Sequence, residues 1–257
     1  MTLESIHALI DTADSKPHRF PPTLIYNEGW MLRLVLHWFQ SHQLPEHPLH
    51  FLAGTTWYSE ALLPTPFKAR YRGDPRAEAR THADGVVGHI AIGSSAKVDA
   101  TLLPNATQLV VTEAKIHSPL SSGTRNAPTY DQVARNVACI SEVLSRARHR
   151  PSELQSLAFV VIAPQRHIKE GAITAKLKKL SIEAAVRSRA RAFSPELDAW
   201  LDEWFIPTLD AIKVEPIAWE QVISDIATAD ERTSYELTTF YERCLKYNAS
   251  RTRSALT

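Results

Sequence analysis

The interpretation of this chain depends on residues 97–136, KVDATLLPNATQLVVTEAKIHSPLSSGTRNAPTYDQVARN. Residues 108–116 alternate in polarity, so Glu113 and Lys115 share one face of a predicted strand with two apolar side chains. The tetrapeptide PNAT just before this strand predicts a turn, and hence a β-hairpin with the segment that precedes it. The register of such a hairpin would place Asp99 opposite Glu113. The stretch therefore predicts two carboxylates and a lysine at one strand end, which is typical of a divalent-metal site.

This arrangement resembles the core of the PD-(D/E)XK nuclease superfamily, the restriction-endonuclease-like proteins. The acidic residue of the motif is Asp99, and the E-x-K tripeptide is residues 113–115. The tripeptide ends an apolar strand and a predicted helix follows it, as in that superfamily. No proline precedes Asp99, so the proline of the superfamily's name is missing. Judged by element order, the resemblance covers residues 24–165.

The resemblance implies an α/β fold with a restriction-endonuclease-like αβββαβ core, in which helices flank a mixed central sheet. Residues 1–257 would form a single domain, with the core at residues 24–165 and extra helices in residues 166–257. The implied activity is metal-dependent hydrolysis of phosphodiester bonds by an endo- or exonuclease that uses Mg²⁺ or Mn²⁺. DNA is favoured over RNA as the partner, and restriction, phage defence or repair would be the setting.

The resemblance also assigns roles to the motif residues. Asp99 and Glu113 would bind the metal, since Mg²⁺ and Mn²⁺ prefer oxygen ligands. The backbone carbonyl of Ala114 would add a further ligand. Lys115 would orient the attacking water and stabilise the negative charge that develops on the phosphate.

Glu28 is a further candidate for the metal site. Asn27 is a favourable N-cap, which predicts a helix that runs to about Gln43 with Glu28 at the head of its core-facing row. Several branches of the superfamily carry a glutamate from this first helix into the active centre, where Glu28 would complete the metal shell or accept a proton. Alternatively, Glu28 only interacts favourably with the helix dipole in the first turn.

Residues 130–148 form a second predicted helix, and its early glutamine, Gln132, resembles the pattern of RecB-like and phage-exonuclease-like members. Gln132 would position water or substrate. Those members carry a tyrosine four residues later, where this chain has Asn136. The alternative is that Gln132 and Asn136 form a polar helix edge beside solvent.

Asp84 is the rival of Asp99 for the acidic position. The same hairpin register places Asp84 at the opposite end of the sheet from Glu113, which favours Asp99. Cations in residues 68–80, together with Arg125 in the later loop, are candidate phosphate contacts. Such runs are also typical of a solvated face.

The composition is that of an ordinary globular protein, with 257 residues and a formal net charge of +1. This charge gives no global signal for nucleic acid, although a local basic surface would suffice. The two cysteines, Cys139 and Cys244, lack metal-ligand spacing, and no apolar stretch approaches the roughly 20 residues that span a bilayer. No signal peptide is evident, so we expect a cytoplasmic protein without a membrane partner.

Three other hypotheses remain at this point. The chain could be a catalytically inactive nucleic-acid-binding or assembly protein on the same fold. It could hydrolyse another phosphate ester. The charged residues could also form a solvent-exposed cluster on a surface hairpin. No DNA-reading motif is present, so a protein partner would supply specificity.

Overall fold

A mixed five-stranded sheet lies between two layers of helices. The computed structural model describes residues 3–14, 19–78, 81–93, 98–123 and 127–249. The strands in these residues are β1 (Thr56–Leu63), β2 (Thr81–Gly88), β3 (Ile90–Ile92), β4 (Ala100–Leu102), β5 (Gln108–Ala114), β6 (Ser156–Ala163) and β7 (Lys213–Ala218). The helices are α1 (Leu3–Asp11), α2 (Glu28–Ser41), α3 (Gln132–Ala147), α4 (Gln165–Lys169), α5 (Ala172–Lys176), α6 (Lys179–Phe193), α7 (Leu197–Trp200), α8 (Ile206–Ala211), α9 (Trp219–Ala227) and α10 (Glu231–Asn248). A π-helical turn, Leu201–Phe205, joins α7 to α8.

The sheet has the strand order β1-β2-β5-β6-β7. Strand β2 is antiparallel to both of its neighbours, β1 and β5, whereas β5, β6 and β7 are parallel. Strands β3 and β4 form a separate antiparallel pair. The prediction of an α/β chain with a mixed central sheet flanked by helices is therefore confirmed.

Local sequence explains the elements around the sheet. Asn27 caps α2 by accepting a hydrogen bond from the Trp30 N–H, and Asp131 caps α3 by accepting one from the Ala134 N–H. Strand β6, almost continuously apolar, is buried on both faces as a parallel strand between two helix layers should be. One core cluster joins the sheet to α3 and α6, and the other joins it to α2, α9 and α10.

The predicted hairpin of residues 97–116 does not form. A turn does lie at Pro104 and Asn105, but β4 before it pairs with β3, and β5 after it pairs with β2 and β6. The apolar pattern of residues 83–93 predicts a single strand, but these residues lie in two strands, which separate after Gly88. A side chain at Gly88 would collide with the Gln108 carbonyl oxygen, so the chain can approach β5 this closely only with glycine.

Candidate active site

Glu113 is the centre of a polar cluster at the carboxyl end of β5. Its side chain is 1% exposed, although most of its neighbours in β5 are apolar. The Lys115 ammonium lies 2.7 Å from Glu113 Oε1. The Gln132 side-chain amide, in the first turn of α3, donates a hydrogen bond of 2.6 Å to the same oxygen. The structure thus brings together three of the residues that the sequence analysis singled out.

Asp84, on the neighbouring strand, faces Glu113. The β2–β5 register pairs Gly85 with Thr112, so the next position along pairs Asp84 with Glu113. Asp84 Oδ2 also accepts a hydrogen bond of 2.8 Å from the Ala114 N–H. The prediction that Asp84 lies at the opposite end of the sheet from Glu113 was wrong, because it relied on a hairpin that does not form.

Asp99 does not lie opposite Glu113. It immediately precedes β4 and makes an isolated parallel bridge with Leu62 of β1. Because β4 pairs with β3 outside the five-stranded sheet, Asp99 has no strand register with β5. The predicted Asp99–Glu113 pair is therefore corrected to an Asp84–Glu113 pair.

Burial controls the charge of Glu113. Removal from water raises the pKa of the Glu113 carboxyl to about 8, and the Asp84 carboxylate adds to the rise. Lys115 opposes this rise through its charge and its hydrogen bond. Two carboxylates on adjacent strands are thus balanced by one ammonium, and additional positive charge at this point would favour the ionised form of Glu113.

Glu60 of β1 extends the acidic pair to a row of three carboxylates. The β1–β2 register places it opposite Asp84, between the pairs Ser59–Gly85 and Ala61–Ala83. Burial raises the pKa of Glu60, and Asp84 raises it further, while Arg33 lowers it. Glu60 was not among the site residues predicted from the sequence. The available signal was a single carboxylate inside an otherwise uncharged strand.

The backbone of β1 changes direction at Glu60. Ser59 accepts a hydrogen bond of 2.7 Å from Arg33 Nε of α2, whereas Ala61 packs in the core cluster that contains α3. Residues two apart on a regular strand face the same way, so the pleat reverses between them. Glu60 has φ of 59°, a left-handed conformation that is costly for a residue with a side chain.

Glu28 lies at the outer side of this row. It is the first residue of α2 and is half-buried. Its charge contributes to the raised pKa of Glu60, and also to that of the Cys244 thiol, which burial raises to about 12. The charge of Glu28 therefore acts on Glu60 and Cys244. Gln132, in contrast, donates a hydrogen bond to Glu113.

Asn136 completes the surroundings of Glu113 from the next turn of α3. Its Nδ2 lies 3.5 Å from Glu113 Oε2 and donates a hydrogen bond of 3.1 Å to the Gln132 carbonyl. Asn136 is buried, and its Oδ1 accepts no hydrogen bond within the described part of the chain. A water molecule between Asn136 and the carboxylates would satisfy this oxygen.

The side chains of this cluster meet the ligand requirements of a hard cation only in part. Among the residues that the structure describes, no three His, Cys, Asp or Glu side chains converge as a metal-binding group. Mg²⁺, however, commonly binds through one or two carboxylates and keeps several waters. The Asp84–Glu113 pair meets that smaller requirement, and Asn136 Oδ1 is an acceptor for a water.

Of the cations in residues 68–80, Arg80 lies outside the described residues, whereas Arg70 and Arg76 have structural partners. Arg70 Nη1 donates to the Phe193 carbonyl at 2.6 Å, and Arg76 Nη1 donates to the Ala192 carbonyl at 2.7 Å. These two guanidinium groups bind the last carbonyls of α6, which its helical hydrogen bonds leave free. Arg125, the other candidate phosphate contact, lies outside the described residues.

The chain matches no protein-family model, no curated protein and no solved structure. None of the helices in the described residues is both long and apolar enough to cross a membrane.

Proposed function

We propose that this protein is a metal-dependent nuclease that hydrolyses phosphodiester bonds, with DNA as the favoured substrate. One observation carries the proposal: Asp84 and Glu113 face each other on adjacent strands, and Lys115, just after the end of β5, lies against Glu113. This geometry resembles the D…E-x-K arrangement of the PD-(D/E)XK nucleases, with Asp84 in the place first given to Asp99.

The fold supports the same proposal. The order α2, β1, β2, β5, α3, β6 agrees with the αβββαβ order expected of a restriction-endonuclease-like core, if β3 and β4 are an added pair. Asp84 lies in the middle of β2, where its pairing with β5 begins, and Glu113 lies at the end of β5, where α3 contacts it. Such a core would place the site on the central strands of the sheet.

Asp84 and Glu113 would hold the cation, with the Ala114 carbonyl as a third oxygen ligand. The Ala114 N–H points toward Asp84, and in a strand the carbonyl of a residue lies on the same edge as its N–H. A divalent cation bound there supplies positive charge next to the phosphate and lowers the pKa of a bound water. The raised pKa of Glu113 fits this use, because cation binding would favour its ionised form.

Lys115 and Gln132 would act on water and on the phosphate. Lys115 Nζ has three donors and uses one on Glu113 Oε1, which leaves others for the attacking water or a phosphate oxygen. Gln132 is fixed at both ends of its amide, since its Oε1 accepts from the Ser121 N–H at 3.0 Å and its Nε2 donates to Glu113. Gln132 would therefore keep the Glu113 carboxylate in one orientation.

A cleavage assay tests the proposal. Supercoiled plasmid, linear single-stranded DNA and RNA are incubated with Mg²⁺, Mn²⁺ or EDTA, and Glu113→Gln is purified in parallel. We expect metal-dependent cutting that disappears with EDTA and in the variant, whose circular dichroism spectrum should match that of the wild type. Equal cutting by both proteins would contradict the proposed site. DNA binding without cutting by either protein would favour a catalytically inactive binding protein.

A further inference from the structure

A cavity of about 210 Å³ opens beside the candidate active site. It lies at the carboxyl ends of β5 and β6, between the segment that follows Lys115 and the helices α4 and α5. Its wall includes His117, Pro119, Leu120, His167, Ile173 and Lys176. The proposed chemistry makes no use of this cavity.

The cavity wall and Glu113 share a structural support. Gln132 donates from its side chain to Glu113, and its backbone N–H donates to the Ser121 carbonyl at 3.2 Å. The Ser121 N–H donates in turn to Gln132 Oε1. Lys176 fixes the preceding residue by donating to the Leu120 carbonyl at 3.1 Å. The cavity wall is therefore connected to Gln132, which contacts Glu113, through Leu120 and the next residue, Ser121.

The lining combines apolar surface with polar groups. Leu120 and Ile173 are buried members of the core cluster and present apolar surface. His167 and Glu170 supply polar groups. Burial and the Arg166 charge lower the pKa of His167, so its imidazole is neutral at pH 7 and carries one donor and one acceptor. The volume is below the roughly 300–1,000 Å³ of pockets for drug-sized ligands, which favours a single small ring system.

We propose that this cavity receives one unpaired nucleobase of the strand that is cut, so that the enzyme acts on single-stranded nucleic acid. The inference rests on the proposed nuclease function and specifies its substrate. A base held in a duplex is stacked and paired, and enzymes that place a base in a pocket must first remove it from the stack. A single strand makes the base available without that cost.

The substitution Ala172→Trp tests whether the cavity receives a base, and Ala175→Trp is its matched control. Both alanines are exposed residues of the short helix α5, but only Ala172 lines the cavity. The substrates are a labelled single-stranded oligonucleotide, its duplex, and a series of single strands in which one base at a time is removed.

We expect the wild type to cut the single strand at least about tenfold faster than the duplex, because a duplex base must first be unstacked and unpaired. Removal of the base at one position near the cut should slow wild-type cleavage by about tenfold. Ala172→Trp should slow cutting of the intact strand by a similar factor and make it insensitive to that missing base. Ala175→Trp should behave as the wild type in both respects.

Two results would overturn the inference while leaving the nuclease function in place. One is wild-type cutting that is insensitive to every missing base, and the other is cutting by Ala172→Trp that equals the wild type. If Ala172→Trp fails to fold, His167→Ala replaces it, and the same loss of sensitivity to the missing base is required. A wild type that cuts no substrate with Mg²⁺ or Mn²⁺ would overturn the proposed function and this inference together.

Discussion

Asp84 Oδ2 accepts a hydrogen bond of 2.8 Å from the backbone N–H of Ala114, the middle residue of the E-A-K tripeptide. This contact joins the middle of β2 to the carboxyl end of β5, at the point where the regular pairing of the two strands ends. The carboxylate of Asp84 is thereby fixed beside Glu113 without any contribution from β4. The identity of the acidic residue is consequently a question of strand pairing rather than of sequence spacing.

Replacement of the two rival aspartates distinguishes them. Asp84→Asn should lower cleavage by at least about 100-fold, because it would remove one of the two proposed carboxylate ligands while keeping an oxygen for the Ala114 N–H. Asp99→Asn should retain activity close to that of the wild type. Cleavage rates and Mn²⁺ titration calorimetry measure both effects. Loss of Mn²⁺ binding in Asp99→Asn, with retention in Asp84→Asn, would restore the original assignment.

Lys115→Met should lower the cleavage rate by about 100- to 1,000-fold with little change in fold, because a donor to developing negative charge is lost. Lys213→Met is the matched control. Lys213 also pairs with a glutamate, Glu215 at 3.3 Å, but it lies on the edge strand β7. Single-turnover kinetics separate the chemical step from product release. Equal rate losses in the two variants would show that Lys115 acts only on stability.

The thermal stability of the metal-free protein should fall as the pH rises from about 5 to about 8. The Glu113 carboxyl binds its proton more tightly in the folded state, with a pKa of about 8 against an ordinary value of 4.5. Stability from this group is fully present below the ordinary value and is lost as the pH passes the folded value. Each pKa unit corresponds to about 1.4 kcal/mol, so melting temperatures in EDTA should shift by several degrees.

Glu113→Gln provides the comparison for this pH dependence. The variant cannot titrate at residue 113, so its melting temperature should change less across the same range. Part of the slope should remain, because burial also raises the pKa of Glu60 and Glu78. Saturating Mg²⁺ should reduce the slope of the wild type, since the cation binds the deprotonated carboxyl. Parallel curves for the two proteins would argue against the raised pKa of Glu113.

Asp74→Asn should lower the melting temperature at pH 7 without a specific loss of cleavage. The Arg70 guanidinium holds the pKa of the Asp74 carboxyl well below its usual range, and Arg70 also binds the end of α6. A depressed pKa contributes stability above the ordinary value of 3.8 and loses it as the pH falls. The difference from the wild type should thus shrink below about pH 4. A constant difference would show that the charge of Asp74 is unimportant.

The sequence predicted the individual elements well because their signals are local. Asn27 marks the start of α2, the alternation around Glu113 marks β5, and the apolar run of residues 157–163 marks β6. The shared face of Glu113 and Lys115 followed from the same alternation, whereas Gln132 was expected near them only because of the resemblance to RecB-like and phage-exonuclease-like members. The local signals depend on neighbours within about ten residues.

The pairing of the strands could not be predicted from such local signals. The turn before β5 is present, but consecutive strands are neighbours in only about two-thirds of cases, and here β4 pairs with β3 instead. The position of Asp84 depends on the pairing of β2 with β5, some 30 residues away. The reversal at Glu60 needs a left-handed backbone that a glutamate does not favour, so no sequence rule predicts it.

The location of the two facing carboxylates has a consequence for how the protein would fail on heating. Asp84 and Glu113 belong to β2 and β5, which are paired inside the sheet with another strand on each outer side. Separating them requires the sheet itself to open, and core strands open only with global unfolding. Heat inactivation should therefore follow a single cooperative transition that coincides with loss of the sheet. Limited proteolysis of peripheral segments should leave the carboxylate pair in place.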